Sequence, residues 1–405
     1  MFYSLYSFYS LYSVACHDPT GGVGCYSDGL HARYLTALLA LGPLIGADLP
    51  RGKIVDPVAV NGNPAQSYAL YLPSSYTPGH AWPILYCLDP GARGRVPVER
   101  FAQAAEKAGY IVAGSNNCRN GPTEPEREAI RWLLTDTHAR LAVDDARIYV
   151  AGMSGGARVA LAWAQNGSIA GVIACAAGFG NEVPKQVPFR LYASTGVDDF
   201  NHDELFGNSL ELARRGIAHR FVEFDGGHDW LPEPLAAEAF DFFLGKVPPQ
   251  AAQPSKHQQN VAGQFDNRMR QVQSASDLEK HALLGEMQKD AAKPEDSDER
   301  RIARRVLMGT FVAMVEQGRG LLAQKEYGEA AHCFEVALMA RPNEPGTWYA
   351  LAVAKAASGN KRGALEALEQ AVANGFHDRE RLEGEPLLER LRNEPRYRAV
   401  VEKLK

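Results

Sequence analysis

The run Gly152-Met153-Ser154-Gly155-Gly156 lies between an apolar strand-like stretch, IYVA, and a helix-like one, GARVALAWAQ. A serine carried on a sharp strand-to-helix turn needs glycine two residues to either side, because side chains there would collide. Its hydroxyl is a weak nucleophile until a neighbouring base takes the proton. His228, in the loop DGGHDW after the strand-like HRFVEF, is the expected base. His202 is its rival, but it sits in the loop better placed to hold the acid. That acid would fix the imidazole tautomer and stabilise the imidazolium. Asp198 and Asp199 both follow FRLYASTG, and spacing barely separates them. Asp199 is the expected acid and Asp198 the alternative, since a turn begun at Gly196 must run on before a side chain faces back toward His228. The chemistry these residues could perform is acyl transfer through a covalent serine intermediate.

A tetrahedral intermediate also needs two N–H donors aimed at its oxygen. The Gly155 amide, at a helix start, is one candidate. The other should come from Pro90-Gly91-Ala92-Arg93-Gly94, after PILYCLD. Proline has no N–H, which leaves Gly91 or Ala92, with Ala92 the expected donor. Asn117 and Arg119, in a loop dense in polar donors, could recognise a polar or carboxylate-bearing part of a substrate, or the loop could bond to itself. Trp230 could wall the site or simply pack. Only some eleven residues separate GVIACAA from the next strand at Phe189, too few for a helical lid. An open site suits a bulky or polymer-attached ester.

The elements that must position these groups follow a repeating order. Two extended stretches, 53–60 and 66–72, flank Asn61, Gly62, Asn63 and Pro64 and predict a hairpin. Apolar runs at 83–89, 110–115, 148–151, 171–177, 189–194 and 219–224 predict strands. Helical periods at 98–107, 124–141, 156–165, 203–214 and 232–243 fall between or after them. Such alternation predicts an α/β fold with a mostly parallel sheet and helices on both faces. In that architecture ligands sit at the carboxyl ends of the strands.

The chain order Ser, Asp, His is that of the α/β-hydrolase arrangement. Residues 51–246 resemble that superfamily, and within it the feruloyl esterases and polyhydroxybutyrate depolymerases. The matching features are the LDP-G run ending at Gly91, the stretch from Val143 to Gly156, the turn from Gly196 to Asp199, and the GGH of His228. The resemblance implies Ser154, Asp199 and His228 as a triad and a carboxylic ester, of feruloyl or hydroxyalkanoate type, as substrate. It departs at the oxyanion loop, where those esterases commonly show His-Gly and this chain has Pro90-Gly91. The alternatives are an amidase or peptidase, or a hydrolase-fold scaffold acting through its C-terminal repeats.

The 405 residues exceed one typical core, and a net charge of −5 gives no basic field for nucleic acid. No phosphate-cradling loop or ligand cluster implies a cofactor or metal. Residues 1–50 read as a disordered or signal-like leader. Within them 34–47 is too short for a permanent membrane anchor. It reads either as an export signal, with a periplasmic or secreted product, or as a lead-in segment of a cytoplasmic one. Residues 247–308 read as a polar linker with helices, and 309–405 as a helical module. There Tyr327, Ala330, Phe334 and Ala337 recur as Lys361, Ala364, Leu368 and Ala371, a 34-residue period. Small residues at a tight crossing with large apolar ones between are what stacked helix pairs require. This pattern resembles tetratricopeptide repeats, with 379–404 as a helical cap, and implies a protein partner or self-association.

Overall fold

The computed structural model describes residues 49–120, 123–180, 182–253 and 255–404. The expected leader lies almost wholly outside the described residues. The chain divides into two compact units, with the division between residues 254 and 255.

The first unit is built on one eight-stranded sheet. Its strands are β1 (Ile54–Val60), β2 (Asn63–Tyr71), β3 (Trp82–Leu88), β4 (Ile111–Ser115), β5 (Val143–Met153), β6 (Gly171–Cys175), β7 (Arg190–Gly196) and β8 (His219–Phe224). Their order across the sheet is β1-β2-β4-β3-β5-β6-β7-β8. β1 and β2 form the hairpin, β2 joins β4 antiparallel, and every pair from β4 to β8 is parallel. The sheet order reverses around β3, and the carboxyl ends of the parallel strands β3, β5, β7 and β8 lie along one edge of the sheet.

The helices are α1 (Arg95–Ala108), α2 (Thr123–Arg140), α3 (Gly155–Asn166), α4 (His202–Arg214) and α5 (Glu233–Phe243). β3 is buried along its whole length because both faces are covered. The strand period of two sends Ile84, Tyr86 and Leu88 into one core with Ala129 and Leu133 of α2 and Ala157 and Ala160 of α3. Leu85 and Cys87 point to the other core, with Phe101 of α1 and Phe240 and Phe243 of α5. β5 begins at Val143, earlier than its apolar run at 148, with Trp82 opposite Val143 and a register shift before Ile84 meets Ile148. The polar residues of VDDAR hid that extension, which is edge-like and half exposed.

The start of the expected linker belongs to the sheet unit. Phe221 N–H donates to the Gln250 carbonyl (2.8 Å) and Gln250 N–H to that of His219 (2.9 Å). Ala252 N–H donates to Ser209 Oγ at 2.9 Å.

The second unit is helical: α6 (Lys256–Ser274), α7 (Asp277–Ala291), α8 (Asp298–Ala323), α9 (Tyr327–Ala340), α10 (Pro345–Ala357), α11 (Lys361–Ala373), α12 (Arg379–Gly384), a 3-10 turn (Pro386–Leu391) and α13 (Pro395–Lys403). α8 runs unbroken through 308–309, where sequence reading placed a boundary, and it packs on α6 and α7 as well as α9. Ala330, Phe334, Ala337, Ala364, Leu368 and Ala371 are buried. A Cβ on Gly318 would lie 2.7 Å from the Phe334 ring, so the α8–α9 crossing needs that small residue. No helix among the described residues is long and apolar enough to cross a membrane.

Candidate active site

Ser154 sits between the end of β5 and the start of α3 with φ 54° and ψ −122°, a backbone state that L-residues rarely adopt. Tight packing holds it there. A Cβ on Gly152 would lie 2.1 Å from the Gly156 carbonyl oxygen, and one on Gly156 would lie 2.0 Å from that of Leu88. Ser154 N–H donates to the Cys175 carbonyl at 2.9 Å, tying the turn to β6. The turn therefore projects Oγ out of the sheet edge instead of along α3.

His228 Nε2 is 2.8 Å from Ser154 Oγ, and its Nδ1 is 2.9 Å from Asp199 Oδ1. The Asp199 side chain has no solvent exposure, and that of His228 has 11%. Asp199 is held from behind: Oδ1 also accepts Asn201 N–H at 2.8 Å, and Oδ2 accepts the Thr195 hydroxyl at 3.3 Å. The Asn201 side-chain amide donates to the Ala176 carbonyl at 2.8 Å. The Phe200 ring lies 4.2 Å from the His228 ring, shielding it from water on one side. Asp198 does not bond His228; its N–H closes on the Gly226 carbonyl at 2.8 Å. His202 turns the other way, with Nδ1 3.0 Å from Asp203 and Nε2 2.5 Å from Glu223.

Several expected site residues are placed differently. Gly91 N–H is committed to Asp89 Oδ1 at 2.8 Å, which removes it as an oxyanion donor. Ala92, at φ 58°, is engaged too, its N–H donating to the Asp89 carbonyl at 3.1 Å to close a tight turn. The expected Ala92 donor is therefore also committed, and the Arg93 N–H is the amide of the 91–93 turn without an acceptor among the described residues. Gly155 N–H is in the first turn of α3, where amides have no intrahelical acceptor. Asn117 is a staple to β2: its Oδ1 accepts Ser67 N–H (2.8 Å) and its Nδ2 donates to the Ala65 carbonyl (3.0 Å). The Asn117 side chain is thus spent on β2 and bonds neither within its own loop nor toward the serine. Arg119 is exposed, and its backbone bridges Gly91. Trp230 is 1% exposed, so it does not wall a pocket. Its indole N–H instead reaches Asp89 Oδ2 at 3.0 Å.

Sequence reading missed Asp89, Asn120, Phe200 and Asn201. A Cβ on Gly155 would fall 1.9 Å from Asn120 Oδ1, so Asn120 rests directly on the serine turn. Asp89 and Asn201 each follow a strand at the catalytic edge, a signal that position alone supplied. Between β6 and β7 there is no helix among the described residues.

The strand order, with a serine after β5, an aspartate after β7 and a histidine after β8 in one hydrogen-bond chain, defines an α/β-hydrolase fold. It is followed by a helical tetratricopeptide-repeat region. A family model described as tetratricopeptide repeat matches residues 321–383. No curated protein matches the chain. Among solved structures, a ferulic acid esterase is similar at 19% identity and TM-score 0.41, covering 48% of this chain and 98% of its own. The fluorophosphonate-binding serine hydrolase F of Staphylococcus aureus is similar at 14% identity and TM-score 0.39, with 48% and 99% covered. An esterase of Pyrobaculum calidifontis is similar at 14% identity and TM-score 0.39, with 49% and 88% covered.

Proposed function

We propose that this protein is a serine hydrolase that cleaves a carboxylic ester through an acyl-enzyme, with Ser154 as nucleophile, His228 as base and Asp199 as the orienting acid. The observation that carries this reading is the continuous chain from Ser154 Oγ through both ring nitrogens of His228 to buried Asp199. Nε2 accepts the hydroxyl proton as Oγ bonds to the ester carbonyl carbon, and the carbonyl π pair moves onto oxygen. The Gly155 amide and an amide of the 91–93 turn are the groups that would receive that oxyanion. Collapse expels the alcohol, which takes the proton from Nε2. Water then gives a proton to Nε2 and attacks the acyl carbon, and expulsion of Oγ returns the proton to serine and frees the acid.

The short β6–β7 connection supports an open site and hence a bulky or polymer-attached ester, of feruloyl or hydroxyalkanoate type. Exposed Arg119, whose backbone bridges Gly91, would meet a polar or carboxylate-bearing part of it. The repeat region would bind a protein partner or a second copy.

The test is burst-phase and steady-state hydrolysis of short-chain, hydroxyalkanoate and feruloyl-like aryl esters, with Ser154→Ala in parallel. Ester turnover should fall by at least about 10⁴-fold in the variant while its fold persists. Absence of turnover and burst on every ester would defeat the reading.

A further inference from the structure

Asp89 directly follows β3, is fully buried, and has no direct part in the acyl-transfer steps above. A buried carboxylate is unfavourable unless donors surround it, and the donors here come from two different loops. Oδ1 accepts Gly91 N–H and Arg93 Nε–H, each at 2.8 Å. Oδ2 accepts Arg93 Nη2–H and Trp230 Nε1–H, each at 3.0 Å, and the Asp89 carbonyl accepts Ala92 N–H at 3.1 Å. Arg93 alone could neutralise the charge. The Trp230 bond does something else: it joins residues 141 apart in sequence, two positions beyond His228. Trp230 is itself immobilised, at 1% exposure, with its ring edge-on to Phe101 at 6.1 Å. The far side of the 91–93 turn is pinned as well, by Asn120 N–H on the Pro90 carbonyl (2.9 Å) and Gly94 N–H on Asn116 Oδ1 (3.1 Å).

We propose that Asp89 and Trp230 form a strut that fixes the 91–93 turn relative to the loop bearing His228, so that Asp89 is a positioning residue for the oxyanion-donor amide of that turn. This rests on the serine-hydrolase reading above. The carbonyl oxygen of an ester moves toward its donors only as the tetrahedral intermediate forms, so a loosened turn weakens transition-state binding more than substrate binding. Asp89→Asn removes the charge that grips Arg93 and cannot offer acceptors on both side-chain atoms. Trp230→Phe keeps the aromatic packing and deletes only the donor across the loops.

The experiment uses the full chain, counts competent sites with a fluorophosphonate, and measures kcat, KM and inhibition by phenylboronic acid, which forms a tetrahedral adduct on serine. Asp89→Asn should lower kcat per titrated site about 100-fold, with KM within about threefold and the boronate inhibition constant raised in step. Trp230→Phe should shift the same quantities about tenfold, and it carries the test alone if Asp89→Asn does not fold. Wild-type kcat per site in the variants, with only the melting temperature lowered, would overturn the strut while leaving the hydrolase reading intact. A wild-type protein that neither turns over ester nor reacts with the fluorophosphonate would remove both.

Discussion

Replacing Asp199 by asparagine separates electrostatics from shape. The side chain is buried with His228 Nδ1 2.9 Å from Oδ1, which places the carboxylate and the imidazolium formed during acylation at near-contact distance. Two unit charges about 4 Å apart at an effective dielectric constant of about 20 attract by about 4 kcal/mol, or about 10³ in rate. Asparagine keeps an acceptor for Asn201 N–H, and the Thr195 hydroxyl can rotate to accept from the new amide. Stability should therefore fall by no more than about 2 kcal/mol. Steady-state hydrolysis of a chromogenic ester, with thermal melts on the same samples, should show kcat lowered about 10³-fold or more and the fold retained. Asp198→Asn run alongside should stay within about threefold of wild type. If Asp199→Asn keeps more than about a tenth of wild-type kcat, or Asp198→Asn is the variant that loses activity, the assignment of the acid is wrong.

Gly156→Ala would place a methyl 2.0 Å from the Leu88 carbonyl oxygen, backbone against backbone. It should reduce stability by at least about 2 kcal/mol in denaturant titration and abolish turnover, whereas Gly227→Ala, with nothing within 4 Å, should stay within about 1 kcal/mol of wild type. Burial pushes the Glu126 carboxyl on α2 up to about 7 from 4.5, so the fold favours its neutral form. The folded protein then binds the proton more tightly than the unfolded chain, and stability is lost as pH rises from about 4.5 through about 7, by about 3 kcal/mol at most. Glu126→Gln should raise the melting temperature at pH 8 and change it little at pH 4, and equal shifts at both pH values would refute the cause.

Much of the fold was legible because its signals are local. The alternation of buried runs such as PILYCLD and YIVAGS with helical periods needs no partner to be recognised, and covered faces leave such runs almost wholly apolar. The small and large residues of the 34-residue repeat likewise mark their own crossings. The glycines around Ser154 carry a steric demand readable from spacing alone. Where polar residues interrupt a strand, as at 143–147 of β5, the local signal fails although the ladder continues.

What sequence alone determined is which residue types could do acyl-transfer chemistry, in what chain order, and at which strand ends they would stand. Only the tertiary structure decided between neighbours. It turned Asp199 and not Asp198 onto His228, engaged His202 with Glu223, committed Gly91 to Asp89, and buried Trp230 as a donor beneath the site. The physical reason is that hydrogen-bond partners in this site lie far apart in sequence, 74 residues for Ser154 and His228 and 141 for Asp89 and Trp230. Spacing along the chain carries the conformation of a turn, but not the direction from which another strand's loop will approach it.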